Sequence, residues 1–142
     1  MYTHHSYRSV AGVYARVGLE SSAMSASPHQ LIVMLFDGAK TTIAAARHHM
    51  GAGDVQAKGN AISKAINIVE NGLRASLDAE AAGAEGASLV QNLNALYTFV
   101  VQRLMQANLR NDQAALDEAD TLLESVASAW REIGANNAPQ SN

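Results

Sequence analysis

No cysteine occurs anywhere in the 142 residues. Structural disulfides and thiolate metal sites are thereby excluded, which agrees with a reducing compartment. Proline occurs only twice and aromatic residues make up 5% of the chain, while alanine dominates the apolar set. Strands favour β-branched and aromatic residues, whereas Ala, Leu, Met, Gln and Glu favour helix, so an all-α fold is expected. Basic residues are scarce too: 10 Lys plus Arg against 13 Asp plus Glu leave a net charge of −3, with no basic cluster. Nucleic-acid binders draw most of their affinity from phosphate contacts, and that class is set aside. The longest unbroken apolar run, Leu31 to Phe36, is far too short to cross a bilayer. The opening stretch MYTHHSYRSVAGVYARVGLESS lacks the apolar run of a signal peptide. The expectation is a cytoplasmic protein without membrane insertion.

Catalytic signatures are missing as well. Helical bundles that carry di-iron sites use Glu-x-x-His, which sets both ligands on one inward face. No Glu here has a His three residues later. There is no His-Glu-x-x-His zinc motif, phosphate-cradling glycine loop or nucleophile elbow. His48 and His49 are adjacent, so on a helix they point about 100° apart and do not share a metal from one face. Paired carboxylates such as Asp117-Glu118 sit where a helix needs a polar back. An enzyme is not expected, nor a cofactor or a metal.

What is present is helical periodicity in a chain of single-domain length. Ser27-Pro28 is an N-cap followed by proline at the first helical position. Leu31, Leu35, Ala39, Ile43 and Ala46 then recur at helical spacing until Gly51 and Gly53. Asp54 opens a second stripe of Ile62, Ile66, Val69, Leu73 and Leu77. A Gly/Ala-rich connector follows at 81–87. Leu89, Leu93, Leu96, Val100, Leu104 and Ala107 mark the third helix, and Asn111-Asp112 the break before the fourth, which runs to Gly134. The predicted helices cover 28–50, 55–77, 88–110 and 113–133. Short connections make neighbours antiparallel, giving an up-down four-helix bundle. By this division 1–20 is a mobile N-terminal arm, 21–134 the bundle and 135–142 a disordered tail. Trp130 and Leu96 are expected in the core.

The apolar surface exceeds what one core stripe per helix requires. Beside the main stripe of the third helix lies a second one, Val90, Tyr97, Val101 and Met105, with Asn94 and Asn108 on the same strip. The second helix has a shoulder of mostly small residues that includes Ala65, Ile68 and Gly72. The first helix adds Val33 and Phe36. A central position of the third helix accounts for part of this excess. For the rest, the strip is covered by the protein's own arm, by a second copy or by a client. Asn side chains in such a groove suit a peptide whose backbone has no partners of its own. The residues alone lead to a helical bundle that binds a peptide or a helix.

Three blocks carry a family resemblance: SAMSASPHQLIVMLFDGA at Ser22 to Ala39, KAINIVENGLRASLD at Lys64 to Asp78, and NLNALYTFVVQRLMQANLRND at Asn92 to Asp112. With Ala129-Trp130, and Tyr14 ahead of GLES, the chain resembles the flagellin-specific export chaperones of the FliS family over nearly its whole length. The resemblance implies an antiparallel bundle that binds the disordered C-terminal region of flagellin. It also implies that the chain prevents premature polymerisation and helps deliver the subunit to the flagellar type III export gate. The N-terminal arm, with Tyr7 and Tyr14, is implied to lie near the binding surface. The rival reading is a self-associating bundle, a homodimer when free, with the second stripe as its interface. On the client reading, Val101→Asp is expected to weaken binding and to leave stability nearly unchanged.

Overall fold

A computed structural model describes residues 27–80 and 83–137. The described residues are almost entirely helical and include no strand. Helix α1 spans Pro28–Gly51 and α2 Val55–Ile68. A π-helical turn, Val69–Leu73, carries α2 without a break into α3, Arg74–Glu80. Helix α4 spans Gly83–Arg110 and α5 Gln113–Asn137. Because α2, the π turn and α3 form one rod, the architecture is the expected bundle of four rods.

Local chemistry sets the helix starts. The Ser27 hydroxyl accepts from the Gln30 amide at 3.1 Å, and the Gln30 side chain accepts from the Ser27 amide at 2.8 Å, a reciprocal capping box. The Asp54 carboxylate accepts from the Ala57 amide at 3.1 Å, and that of Asp112 from the Ala115 amide at 3.2 Å. The chain reverses between α4 and α5 at Asn111, whose φ of 55° is left-handed, a conformation asparagine tolerates better than most residues.

Two boundaries differ from the sequence expectation. Helix α4 begins at Gly83, inside the expected connector, and α5 passes through Gly134 to Asn137, into the expected tail. Glycine costs a helix only about 1 kcal/mol, and Ala84, Glu85 and Ala87 supply good helix formers around Gly83 and Gly86. Gly134 is no stop signal. A Cβ placed there would lie 2.0 Å from Cε1 of His29, so glycine permits that ring to approach. The expected arm lies outside the described residues.

The rods form a closed cycle in which α1 packs on α2 and α5, and α4 packs on α5 and on the α2–α3 rod. Side-chain pairs fix their antiparallel sense. Lys40 meets Asp120 at 2.7 Å, Arg131 meets Asp37 at 2.7 Å, and Arg47 pairs with Asp117, which together lace α1 to α5. Arg103 reaches Glu118 at 2.7 Å between α4 and α5. The core is led by Leu35, Phe36, Ile43, Ile62, Ile68, Leu73, Leu104, Leu116 and Leu123. Phe36 and Tyr97 meet across it with ring centroids 6.5 Å apart.

Burial corrects the stripe assignments. Tyr97 and Val101 are 3% and 8% exposed and belong to the core, as do Ala65, Ile68 and Gly72. Leu96 and Trp130, expected inside, are only half-buried against its edge. A rod in a four-rod cycle touches two neighbours and faces a third across the middle, so its buried arc is wide. On α4 that arc takes in parts of both stripes, with Tyr97, Val100, Val101, Leu104 and Ala107 all buried. Gly72 is buried because α1 crosses close to the π turn: a Cβ there would lie 2.8 Å from Cδ2 of Leu35.

Candidate functional site

At the end of the bundle where α1 begins and α5 ends, the rods do not close completely. A groove of about 150 Å³ remains between Ile32 and Phe36 of α1, Leu73 of the π turn, Ser76 and Leu77 of α3, Gly86, Leu89, Val90, Leu93 and Tyr97 of α4, and Val126 and Trp130 of α5. Every rod contributes. The lining is almost wholly apolar, and the Ser76 hydroxyl donates to the Gly72 carbonyl at 2.8 Å, so it makes no polar demand on the groove. Leu89 on the rim is 57% exposed.

The wall formed by α5 is held in place from α1. The Trp130 indole N–H donates to the His29 carbonyl at 3.3 Å, His29 Nε2 lies 2.8 Å from the Trp130 carbonyl, and the two rings stack at 5.0 Å. That distance requires the proton on Nε2, because a carbonyl only accepts. On the floor, burial pushes the Tyr97 phenol well above its ordinary value of 10.0, with the Arg74 guanidinium opposing weakly. Tyr97 is therefore a neutral hydroxyl at the base of an apolar groove.

The sequence-derived candidates separate into groups. Val90 and Tyr97 line the groove. Asn94 stands beside it on the seam between α4 and the second rod, where Arg74 donates to its carbonyl at 3.2 Å and its Oδ1 at 2.9 Å, and to Thr98 Oγ1 at 3.0 Å. Met105 and Asn108 are exposed at the far end of α4, and Val33 is half-buried on α1. Ala65, Ile68, Gly72 and Val101 are inside the core and present nothing to a partner in this packed state. Tyr7 and Tyr14 lie outside the described residues. Sequence reasoning missed Val126 as a groove residue, and it placed Leu89, Leu93 and Trp130 on core stripes instead. No sequence signal separates them from core residues: they carry the same helical periodicity, and only the packing of the rods leaves them at the groove.

A more open cleft of about 470 Å³ lies between α1 and α2, lined by Met34, Asp37, Gly38, Thr41, Thr42, Ala45 and Lys64. The Thr42 hydroxyl is bonded to the Ala39 carbonyl at 2.9 Å, as a buried hydroxyl in a helix must be. Among the described residues no grouping of three His, Cys, Asp or Glu side chains is placed to hold a metal ion, and no helix is long and apolar enough to cross a membrane.

The described residues form a helical bundle with an apolar groove at one end. Residues 10–137 match the family described as flagellar protein FliS. The flagellar secretion chaperone FliS of Salmonella typhimurium (strain LT2) is 53% identical over 120 residues, covering 84% of this chain and 86% of the relative. Its Escherichia coli K12 counterpart is 50% identical over 119 residues, covering 84% and 85%. The flagellar secretion chaperone FliSB of Pseudomonas aeruginosa is 40% identical over 117 residues, covering 82% and 89%. The chain belongs to the FliS family, whose members are chaperones and not enzymes.

Proposed function

We propose that this chain is a cytoplasmic export chaperone whose client is the disordered C-terminal segment of flagellin. It keeps that segment from polymerising prematurely and assists its delivery to the flagellar type III export gate. The observation that carries the reading is the apolar groove built by all the rods, on a chain whose relatives are named flagellar secretion chaperones. An apolar side chain of the client that enters the groove leaves water, and the neutral Tyr97 hydroxyl offers a hydrogen bond to its backbone.

Binding on this reading is coupled to ordering of the client. Ordering a disordered segment costs about 2–5 kcal/mol, and such complexes bury on the order of 1,000–3,000 Å². The groove alone is too small for that area, so the client follows the bundle beyond it. Asn94 is well placed for the next contact: its Oδ1 is occupied by Arg74, while its amide hydrogens have no acceptor among the described residues. The test is size-exclusion chromatography with light scattering on the chain mixed with the flagellin C-terminal segment. A 1:1 complex is expected. A stable homodimer that ignores the segment would support the self-associating reading instead.

A further inference from the structure

The groove stands open although its walls are apolar. Closing it would take Leu77, Val90 and Leu93 away from water, and all apolar wall so removed favours closure. An apolar groove that stays open needs its walls held. Between α1 and α5 the clasp of His29 and Trp130 does this. Against α1, the second rod is set by the close approach of Gly72 to Leu35. The freedom that remains is between α3 and α4, which carry the facing walls.

Arg74 lies across that seam. It is the first residue of α3 and follows Leu73, which lines the groove. Its Nη1 donates to the Asn94 carbonyl at 3.2 Å and to Asn94 Oδ1 at 2.9 Å, and its Nη2 donates to Thr98 Oγ1 at 3.0 Å. Its Nε is paired with Glu70, one turn back on the same rod, so that pair orients the guanidinium and does not itself cross the seam. Among the described residues, the other polar tie from this rod to α4 is Lys58, which donates to the Asn108 carbonyl at 3.0 Å towards the far end. Arg74 is thus the last described tie before the two rods part around the groove.

We infer that Arg74 is a positioning residue for client binding: its bridge to Asn94 and Thr98 holds α3 and α4 apart and keeps the groove open before the client arrives. The inference rests on the client reading above. A guanidinium suits the task because it is planar and presents its donors as a fixed fork, so its bonds set a spacing as well as a tie. A groove already open spares the client the cost of opening it. Were only a fraction of the free chain open, apparent affinity would fall by that fraction.

A brace and an ordinary stabilising bridge predict opposite behaviour. Removing an ordinary bridge loosens the bundle, so stability falls and the groove becomes more accessible. Removing a brace lets the apolar walls meet, so the groove becomes less accessible while stability is kept. Trp130, the only tryptophan of the chain, lines the groove and reports on it directly.

The test compares wild type, Arg74→Met and Arg74→Lys by acrylamide quenching of Trp130 fluorescence, by thermal melts and by calorimetric titration with the flagellin C-terminal segment. Arg74→Met keeps the reach of the side chain and removes every donor. It is expected to be quenched less than wild type, to melt no lower and to bind the segment at least about fivefold more weakly. Arg74→Lys, with a single donor head in place of the fork, should fall between the two. Thr98→Val removes one bond of the bridge from the α4 side at an exposed position. It too should be quenched less than wild type, and it supplies the comparison if Arg74→Met does not fold. Quenching that is unchanged or stronger without the bridge would mean that Arg74 ties the rods without holding them apart, and the inference is overturned. Weaker quenching with full client affinity overturns the positioning role as well. If wild type does not bind the segment, the client reading fails and the positioning role with it, while the quenching series still decides whether Arg74 braces the groove.

Discussion

His29 and Trp130 clasp each other across the ends of the chain's first and last described helices. Each ring's nitrogen lies within hydrogen-bond distance of the other residue's carbonyl, and the rings stack with an interplanar angle of 8°. The clasp occupies the space above Gly134, where any side chain would collide with the imidazole. It fixes one wall of the groove and ties the mouth of the bundle shut on that side.

The clasp predicts a non-additive pair of substitutions. Gly134→Ala should destabilise the bundle by about 1–3 kcal/mol in urea melts, the usual range for overpacking. In a His29→Ala background the same change should cost nothing, since alanine is the better helix former by about 1 kcal/mol once the ring is gone. Equal costs in both backgrounds would separate Gly134 from the clasp.

The burial pattern on α4 ranks three further substitutions. Leu104→Ala, fully buried, should cost about 2–5 kcal/mol, and Leu96→Ala, half-buried, roughly half as much. Val101→Asp introduces a carboxylate into the core and should lower the melting temperature severely, where the sequence alone suggested a stable, binding-deficient variant. A Val101→Asp chain that melts like wild type would place that side chain outside the core.

Tyr97 gives the fold a dependence on alkaline pH. Its folded-state pKa is raised above 10.0 by burial. The contribution to stability is therefore complete below pH 10 and is lost as the pH rises through the higher folded value. Wild-type urea stability should fall between pH 9.5 and about 11 more steeply than that of Tyr97→Phe, which has no proton to lose. Parallel curves would mean the phenol titrates as if exposed.

We propose further that the segment 1–18 competes with the client for apolar surface, since Tyr7 and Tyr14 are seven positions apart and would share one side of a helix. The open form is then only a fraction of the free population, and apparent affinity falls by that fraction. Deleting 1–18 should speed association with the flagellin segment in stopped-flow mixing. Unchanged or slower association would make Tyr14 a client contact instead of a lid.

Much of the fold was legible because helix starts are local events. Ser27-Pro28, Asp54 and Asn111-Asp112 each carry their cap within a few residues, and each marks an observed boundary. Gly134 was misread because its reason for being glycine is His29, more than a hundred positions away in sequence. The rotation of α4 was also hidden. Leu96 and Tyr97 are neighbours about 100° apart, both apolar enough for a core, and only the packing of the second rod and α5 decides which one turns inward. The π turn at Val69–Leu73 has no sequence signature, yet it shifts the register of everything after it on that rod. Groove residues such as Leu93 and Trp130 carry the same periodic signal as core residues. What distinguishes them is that the bundle ends beside them.

The most direct test of the account is the affinity of Leu89→Asp for the flagellin C-terminal segment, measured beside wild type by calorimetry. Leu89 lines the groove and is already largely exposed, so the change places a charge at the binding surface without disturbing the core. The account predicts a 1:1 complex for wild type, at least about tenfold weaker binding for Leu89→Asp, and matching melting temperatures. A variant that melts like wild type and binds the segment equally well would contradict it.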